Sequence, residues 1–332
     1  MILIDADVLG RERTGDETYV ANLLRELPDA APDLRFGAVT RWPELVPAGV
    51  EPILLRTRLQ EARMAFSLPR LLRRLEPELS HFQHALPLGY RGRSVVTLHD
   101  LSFEAEDTAM GLLDRLTFRF VVPRAARGAD QVIAVSERTK RDVVARYGIA
   151  ESRVTVTPNG VDPSFSPGGG HDRYVLFVGA IQARKDPLAA LAAARAVKLP
   201  LVVAGPEKDS GLVRELREGG ADLRGYVSKG ELAELYRGAA LLVLPSRFEG
   251  FGLPVLEAMA SGTPVVAAAE PALREVAGDA AVYAEDGDFG AAAARALANQ
   301  TRLSAAGLER AKLFSWAETA RRTADVYRRV LS

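Results

Sequence analysis

The chain has no cysteine, and that absence excludes disulfides, thiolate metal sites and thiol nucleophiles together. Histidine is scarce too: His81, His84, His99 and His171 are the only four, and their placement along the chain suggests no convincing metal cluster. Surplus charge is missing, with 43 basic residues against 43 acidic ones, which removes the electrostatic footprint of a nucleic-acid binder. No DNA or RNA partner is therefore expected. No apolar run approaches membrane-spanning length, and the opening MILIDADVLGRERTG lacks the charged-then-apolar layout of a signal peptide. The expected location is cytoplasmic.

What is present is a rhythm. Short apolar, β-branched runs (ILID, RFGAV, PILL, SVVTL, QVIAV, RVTV, then YVLFVG, PLVVAG, ADLRGYV, ALLVLP, TPVVAA) alternate with amphipathic stretches from end to end, which argues for βαβ units and mostly parallel sheets. At 332 residues the chain exceeds the usual single core, so two domains of roughly 150 residues each are expected. The Pro-, Gly- and Ser-rich segment at 158–173 reads as a linker. The expectation is an α/β protein of two Rossmann-like, doubly wound parallel-sheet domains facing a cleft: an N-terminal domain at 1–165, a C-terminal one at 166–314, and a closing helix at 315–332 that crosses back to the first. Ser315 suits the N-cap of that helix, with Trp316, Ala320, Ala324 and Tyr327 at helical spacing.

The stretch PSRFEGFGLPVLEAMASGTPVVA, 245–267, carries the most chemistry. ALLVLP reads as a strand, SRFEGFG as the loop at its carboxyl end and LPVLEAMA as a helix with Pro254 in its first turn. Ligands of open α/β sheets sit at such crossings. Glu249 falls in the loop and Glu257 about one turn into the helix, so two carboxylates can face one crevice, and an ionised carboxylate accepts well from a vicinal diol. Gly250 and Gly252 would leave the Phe251 and Leu253 amides open to a phosphate or sugar at the helix N-terminus. For any two glutamates at this spacing a surface pair is the commoner explanation; the glycine-flanked loop and the following proline shift the balance.

In YVLFVGAIQARKDP a buried strand ends at Gly179, and Arg184 and Lys185 precede a helix. A departing diphosphate needs its charge neutralised, and with no Asp cluster to hold Mg²⁺ that work falls to Arg and Lys; a solvated basic pair is the competing explanation. In GYVSKGELAELYRGA, Ser228 and Glu231 form a capping pattern, and Tyr226 with the Val227 backbone could meet a flat base; core packing explains Tyr226 equally well.

Together VGAIQARKD, GYVSKGELAELYRGA, PSRFEGFGLPVLEAMASGTPVV and FSWAETA resemble glycosyltransferase family 4, of the GT-B fold. TGDETYVANLL, VVTLHDLSFE, AVSERTKRDVVARYGI and VTVTPNGVDPSF in the first half are similar to that family more loosely. The resemblance implies a retaining transferase that needs no metal. Glu257 would then bind the donor's ribose and Glu249 the transferred sugar. Arg184 and Lys185 would clamp the diphosphate, aided by amides at Phe251, Gly252 and Leu253. Gly15 would let the first domain approach the donor phosphate, and His99 would position the reacting sugar. Two places depart from the family pattern: Ala180 stands where many members have Arg, and Asp16 follows Gly15 where many have a glycine pair.

The resemblance also implies a hexose donor, GDP-mannose first and a UDP-sugar second, and a glycan or lipid-linked acceptor. Segment 58–77 mixes Arg63, Arg70, Arg73 and Arg74 with Leu and Phe. It would suit peripheral contact with the inner face of a membrane, although a solvated amphipathic helix is the commoner source of such a pattern. His81 and His84, in SHFQHALPLG, have metal-like spacing but no third ligand nearby, so loop packing or acceptor contact is expected of them rather than metal. A dehydrogenase would require a glycine-rich fingerprint after a first strand, and neither half has one. The remaining alternative is a catalytically impaired nucleotide-sugar-binding or partner protein of the same fold.

Overall fold

The computed structural model describes residues 1–11, 14–104, 111–169 and 173–332; His171 lies outside them. The chain divides into two compact units. Unit 1 comprises Met1–Leu101, Leu112–Gly160 and Ser315–Ser332, and unit 2 comprises Ser102–Gly111 and Val161–Phe314.

Unit 1 carries strands β1 (Ile2–Asp5), β2 (Phe36–Thr40), β3 (Val50–Leu54), β4 (Leu79–Gln83), β5 (Ser94–Leu98), β6 (Gln131–Ala134) and β7 (Val154–Val156). They pair in parallel in the order β3-β2-β1-β4-β5-β6-β7. Helices cover both faces of such a sheet, so inner strands are apolar on every residue rather than on alternate ones; Ile2, Leu3 and Ile4 are buried in succession. The edge differs: β3 exposes Glu51 and Pro52, residues that discourage pairing with another chain.

Unit 2 carries β8 (Val175–Val178), β9 (Leu201–Ala204), β10 (Asp222–Gly225), β11 (Leu241–Leu244), β12 (Val265–Ala268) and β13 (Ala281–Ala284), parallel in the order β10-β9-β8-β11-β12-β13. All four residues of β11 are buried, and the edge strand β10 is again polar, with Asp222 and Arg224 exposed. In both sheets the connections run one way from a central strand and then the other. The direction reverses between β1 and β4 in unit 1 and between β8 and β11 in unit 2, and at such reversals the loops part at the carboxyl ends of the strands to leave a crevice.

The closing helix, Trp316–Leu331, is capped by Ser315, whose side chain accepts from the Glu318 amide. Its buried stripe of Trp316, Ala320, Ala324 and Tyr327 packs within unit 1. Thr319 donates to the Pro158 carbonyl at 2.6 Å, and the Tyr327 hydroxyl lies 2.6 Å from His81 Nδ1.

Three sequence expectations change. LSHFQ and AVYA, not read as strands, are β4 and β13; Ser80 and His81 in the first masked its apolar character. The 158–173 segment is more than a linker, because the units divide at Gly160 and the residues just beyond are anchored in unit 2. There Asp162 accepts from Lys229 at 2.6 Å, and the Phe165 ring meets Tyr236 edge-on at 5.7 Å. Arg63 leaves the basic face proposed for 58–77: it is fully buried, and its guanidinium forks onto Asp5 at 2.9 and 2.6 Å. Arg70, Arg73 and Arg74 remain exposed.

Candidate active site

In unit 2 the reversal between β8 and β11 brings together two loops. β8 runs into Gly179, whose φ of 153° is accompanied by a close approach: a β-carbon on neighbouring Gly205 would lie 2.1 Å from the Gly179 carbonyl oxygen. The chain then makes a short 3₁₀ turn, Ala183–Lys185, while the loop after β11 carries Arg247 to Gly252. The two are laced together. Arg184 donates to the Phe248 carbonyl at 3.0 Å, the Arg247 amide donates to the Arg184 carbonyl at 2.9 Å, and Lys185 Nζ reaches Glu249 Oε1 at 2.5 Å.

Glu249 is only 7 % exposed. A carboxylate so far from water is tolerated because Lys185 neutralises it, and removing either partner would strand a buried charge. Next, Gly252 starts the helix Leu253–Ala260 at φ 103°, a left-handed conformation that favours glycine, and a β-carbon there would come within 2.6 Å of Leu273 Cδ2. Phe251 is buried edge-on against Phe314, ring centres 5.9 Å apart. The helix thus begins at the sheet's carboxyl edge, where its first-turn amides have no acceptors within the helix.

One turn in, Glu257 accepts a hydrogen bond from the Tyr236 hydroxyl at 2.8 Å. Burial pushes its carboxyl up to about 7; the Tyr236 bond and nearby Lys229 pull it down, and Asp162 adds to the upward push. Asp162 itself would be raised by burial, but the bonds from Lys229 and Ser164 outweigh that and hold it at about 2. Tyr236, Asp162 and Lys229 were not singled out from the sequence. The first sat inside a capping-box helix and the second inside an apparent linker, and only folding sets them beside Glu257. The capping box is present, with the Ser228 and Glu231 side chains bonded to each other's backbone amides. Tyr226, 55 % exposed at the end of β10, is a surface residue and not core packing, and Val227 beside it is partly buried.

Arg184, Lys185, Tyr226, Val227, Glu249, Phe251, Gly252, Leu253 and Glu257 therefore all belong to unit 2, and Gly15 and His99 to unit 1. Gly15 is exposed at the start of the helix Thr14–Ala30, and a β-carbon there would meet nothing within 4 Å, so close packing does not explain a glycine at that position. His99 follows β5. Its Nε2 lies 2.9 Å from Gln83 Oε1, and its ring meets Tyr19 edge-on at 4.8 Å. Burial lowers its imidazole to about 4, which keeps it neutral at physiological pH.

The two histidines of SHFQHALPLG part company. His81 is a core residue of β4, bonded to Tyr327 and to Thr97 Oγ1 at 2.7 Å, and burial lowers it to about 3. His84, just past the strand, lies 3.5 Å from Asp16 and next to His99. The expectation that no third ligand lies near His84 is thereby corrected: Asp16, remote in sequence, supplies a carboxylate there.

The two parallel sheets, each with its crevice at a reversal of strand order, define the class as the two-domain GT-B fold. Solved structures agree over almost the whole chain. Sucrose-phosphate synthase of Thermosynechococcus elongatus aligns with a TM-score of 0.77 at 21 % identity, covering 99 % of this chain and 98 % of that one. Anabaena HepE, crystallised with UDP and glucose, aligns with a TM-score of 0.74 at 16 % identity and 99 % coverage of both. The family model for Glycosyltransferase Family 4 matches residues 13–165 and that for Glycosyl transferases group 1 matches residues 172–300, and the chain belongs to the GT-B glycosyltransferases. Among curated relatives, the D-inositol 3-phosphate glycosyltransferase of Kineococcus radiotolerans is 34 % identical over 63 % of this chain and 59 % of its own length. The O-antigen chain mannosyltransferase B of Escherichia coli is 28 % identical over 71 % and 70 %. The chain thus spans about six-tenths of the length of the first of these and seven-tenths of the second.

Proposed function

We propose that the chain is a retaining hexosyltransferase that takes its sugar from a nucleotide-diphosphate donor without help from a divalent ion. The observation that carries this reading is the Lys185–Glu249 pair at the β8/β11 reversal, with Glu257 one helical turn away. Arg184, Lys185 and the amides of Phe251, Gly252 and Leu253 would hold the diphosphate. Glu249 would accept from the hydroxyls of the sugar and Glu257 from those of the ribose. Tyr226 and the Val227 backbone would meet the base, and Gly15 would leave room for the donor phosphate. In the step, the bond from the anomeric carbon to the phosphate oxygen breaks and a bond to the acceptor oxygen forms on the same face. The acceptor's hydroxyl proton passes to the departing diphosphate. Arg184 and Lys185 stabilise the negative charge that develops there, and neutral His99 positions the sugar rather than removing the proton.

The mannosyltransferase relative favours GDP-mannose as donor; the UDP in the HepE structure supports a UDP-sugar as the second reading. The O-antigen chain mannosyltransferase supports a glycan acceptor, free or lipid-linked, whereas the inositol 3-phosphate relative acts on a smaller one. None of the described helices is long and apolar enough to cross a membrane. Exposed Leu59 and Phe66 alongside Arg70, Arg73 and Arg74 support peripheral contact with an anionic surface, which co-sedimentation with anionic liposomes tests.

A thermal-shift panel of nucleoside diphosphates and nucleotide sugars in EDTA tests the whole reading, because a ligand that binds only the folded state raises the melting temperature. GDP-mannose or a UDP-sugar should stabilise, and hydrolysis or transfer of that donor should follow. Binding without turnover would instead favour a nucleotide-sugar-binding partner protein, and no stabilisation by any of them would end the proposal.

A further inference from the structure

The carboxyl edge of the sheet in unit 1 carries a side-chain cluster that the transfer reaction does not use as a whole. Asp16, near the start of the helix that follows β1, His84, just past β4, and His99, just past β5, converge where strand order reverses. One ligand atom from each, a carboxylate oxygen and two imidazole nitrogens, all lie within 4.8 Å of one another. His84 Nε2 is 3.5 Å from Asp16 Oδ2, and His99 Nε2 is 3.9 Å from Asp16 Oδ1. Metal–ligand bonds of about 2.0–2.1 Å set tetrahedral neighbours roughly 3.4 Å apart, so modest side-chain rotation closes these separations onto a common centre.

Three further observations point the same way. His84 holds φ at 60°, a left-handed conformation uncommon for a residue with a β-carbon and one that persists where surrounding structure imposes it. Its backbone amide donates a hydrogen bond to the Thr97 carbonyl at 3.0 Å. Its Nδ1 and the Gln83 side-chain nitrogen are buried with no hydrogen-bond partner among the described residues, and such orphaned groups call for an explanation. His99 Nε2 bonds Gln83 Oε1 at 2.9 Å, a hydrogen bond that a bound ion would displace. Asp16 is the most open of the three, its side chain 40 % exposed, which gives solvent or ligand access to the remaining positions.

We propose that Asp16, His84 and His99 form a binding site for a first-row transition-metal ion of the Zn²⁺ class. Two imidazoles and one carboxylate select such ions over Mg²⁺ and Ca²⁺, which prefer all-oxygen sets. The site lies in unit 1 and shares no residue with the diphosphate clamp of unit 2. Occupancy would withdraw His99 from the donor sugar, so the ion would inhibit transfer rather than drive it.

The test uses the full-length, EDTA-stripped protein without nucleotide, so its outcome is independent of the transferase reading. Co²⁺ is added first for its visible d–d absorption, then Zn²⁺ in competition with a chromophoric chelator. The expected result is a Co²⁺ band and about one Zn²⁺ per chain, both weakened about tenfold or more in Asp16→Ala and in His84→Asn. Asn tolerates the left-handed backbone at that position, and circular dichroism confirms that each variant is folded. His171→Ala should bind as the unaltered chain does. Absence of the band and of stoichiometric Zn²⁺, equal affinity in the two site variants, or equally good competition by excess Mg²⁺ would overturn the proposal.

Discussion

The Tyr236 hydroxyl donates to Oε2 of Glu257 across 2.8 Å, and this one bond links the capping-box helix to the carboxylate proposed to hold the donor's ribose. Burial raises Glu257 to about 7 while the Tyr236 bond restrains the rise. Only the ionised carboxylate accepts from both hydroxyls of a diol, so nucleotide binding should release a proton below neutrality. We expect affinity for the nucleoside diphosphate to be constant above about pH 8 and to weaken about tenfold for each pH unit below 7. Tyr236→Phe should move that transition to higher pH, because it removes a lowering influence. Calorimetric titration from pH 5.5 to 8.5 reads both effects, and a flat profile would remove Glu257 from the ribose.

The Lys185–Glu249 pair separates stability from chemistry. Lys185→Met alone should cost about 3 kcal/mol by leaving Glu249 as an uncompensated buried charge, and Glu249→Gln alone should cost a similar amount. The double variant should recover most of that loss, yet transfer should stay abolished because clamp and sugar acceptor are both gone. Denaturant unfolding and turnover on the same four proteins complete the cycle. Recovery of activity in the double variant would mean that the pair is structural only.

Gly160 lies where the closing helix begins: a β-carbon there would stand 2.1 Å from the Trp316 amide nitrogen. Backbone on both sides cannot yield as a flexible side chain would. Gly160→Ala should destabilise unit 1 by about 2 kcal/mol or more, read as a lower midpoint in denaturant. Gly15→Ala, with open space around it, should leave stability unchanged.

Burial holds His81 at about 3 and His99 at about 4, against 6.5 for a free imidazole. Between those values the unfolded chain takes up protons that the folded chain refuses. The stability concerned is therefore fully present above pH 6.5 and lost as pH falls. His84, raised above 6.5 once the bond and charge of Asp16 outweigh its burial, works in the opposite sense, one group against two. In unit 2 Glu257 also opposes them, because its raised carboxyl keeps a proton that the unfolded chain releases between 4.5 and about 7, so its contribution falls as pH climbs. Thermal unfolding of Glu257→Gln removes that opposing influence and should show a melting temperature that drops between pH 7 and pH 5. An increase over that range would contradict the burial of the two imidazoles.

Much of the architecture was legible because inner strands of parallel sheets announce themselves. Eleven apolar runs were readable as strands, and β4 and β13 escaped because Ser80 with His81, and the brevity of AVYA, break the apolar signature. The loop of Glu249, the glycine start at Gly252 and the helix of Glu257 were all local, within one strand–loop–helix unit, so spacing sufficed to find them. The partners of these residues were not local. Tyr236 meets Glu257 from another helix, and Asp162 reaches Lys229 from a segment whose proline and glycine content suggested a linker. Arg63 reads as one more surface arginine until Asp5, 58 positions away, is placed against it.

By itself the sequence determined the α/β class, the repeated strand–helix unit and the candidate donor-binding residues of 179–257, because periodicity, turn residues and a charged loop act over a few neighbouring positions. Only the tertiary structure decided the electrostatics. The neutral His99, the elevated Glu257, the compensated Glu249 and the convergence of Asp16 with His84 and His99 all depend on burial and on partners brought from distant strands by crossover connections. A shift in proton affinity is a property of the space around a group, and no residue carries that space in its own letter.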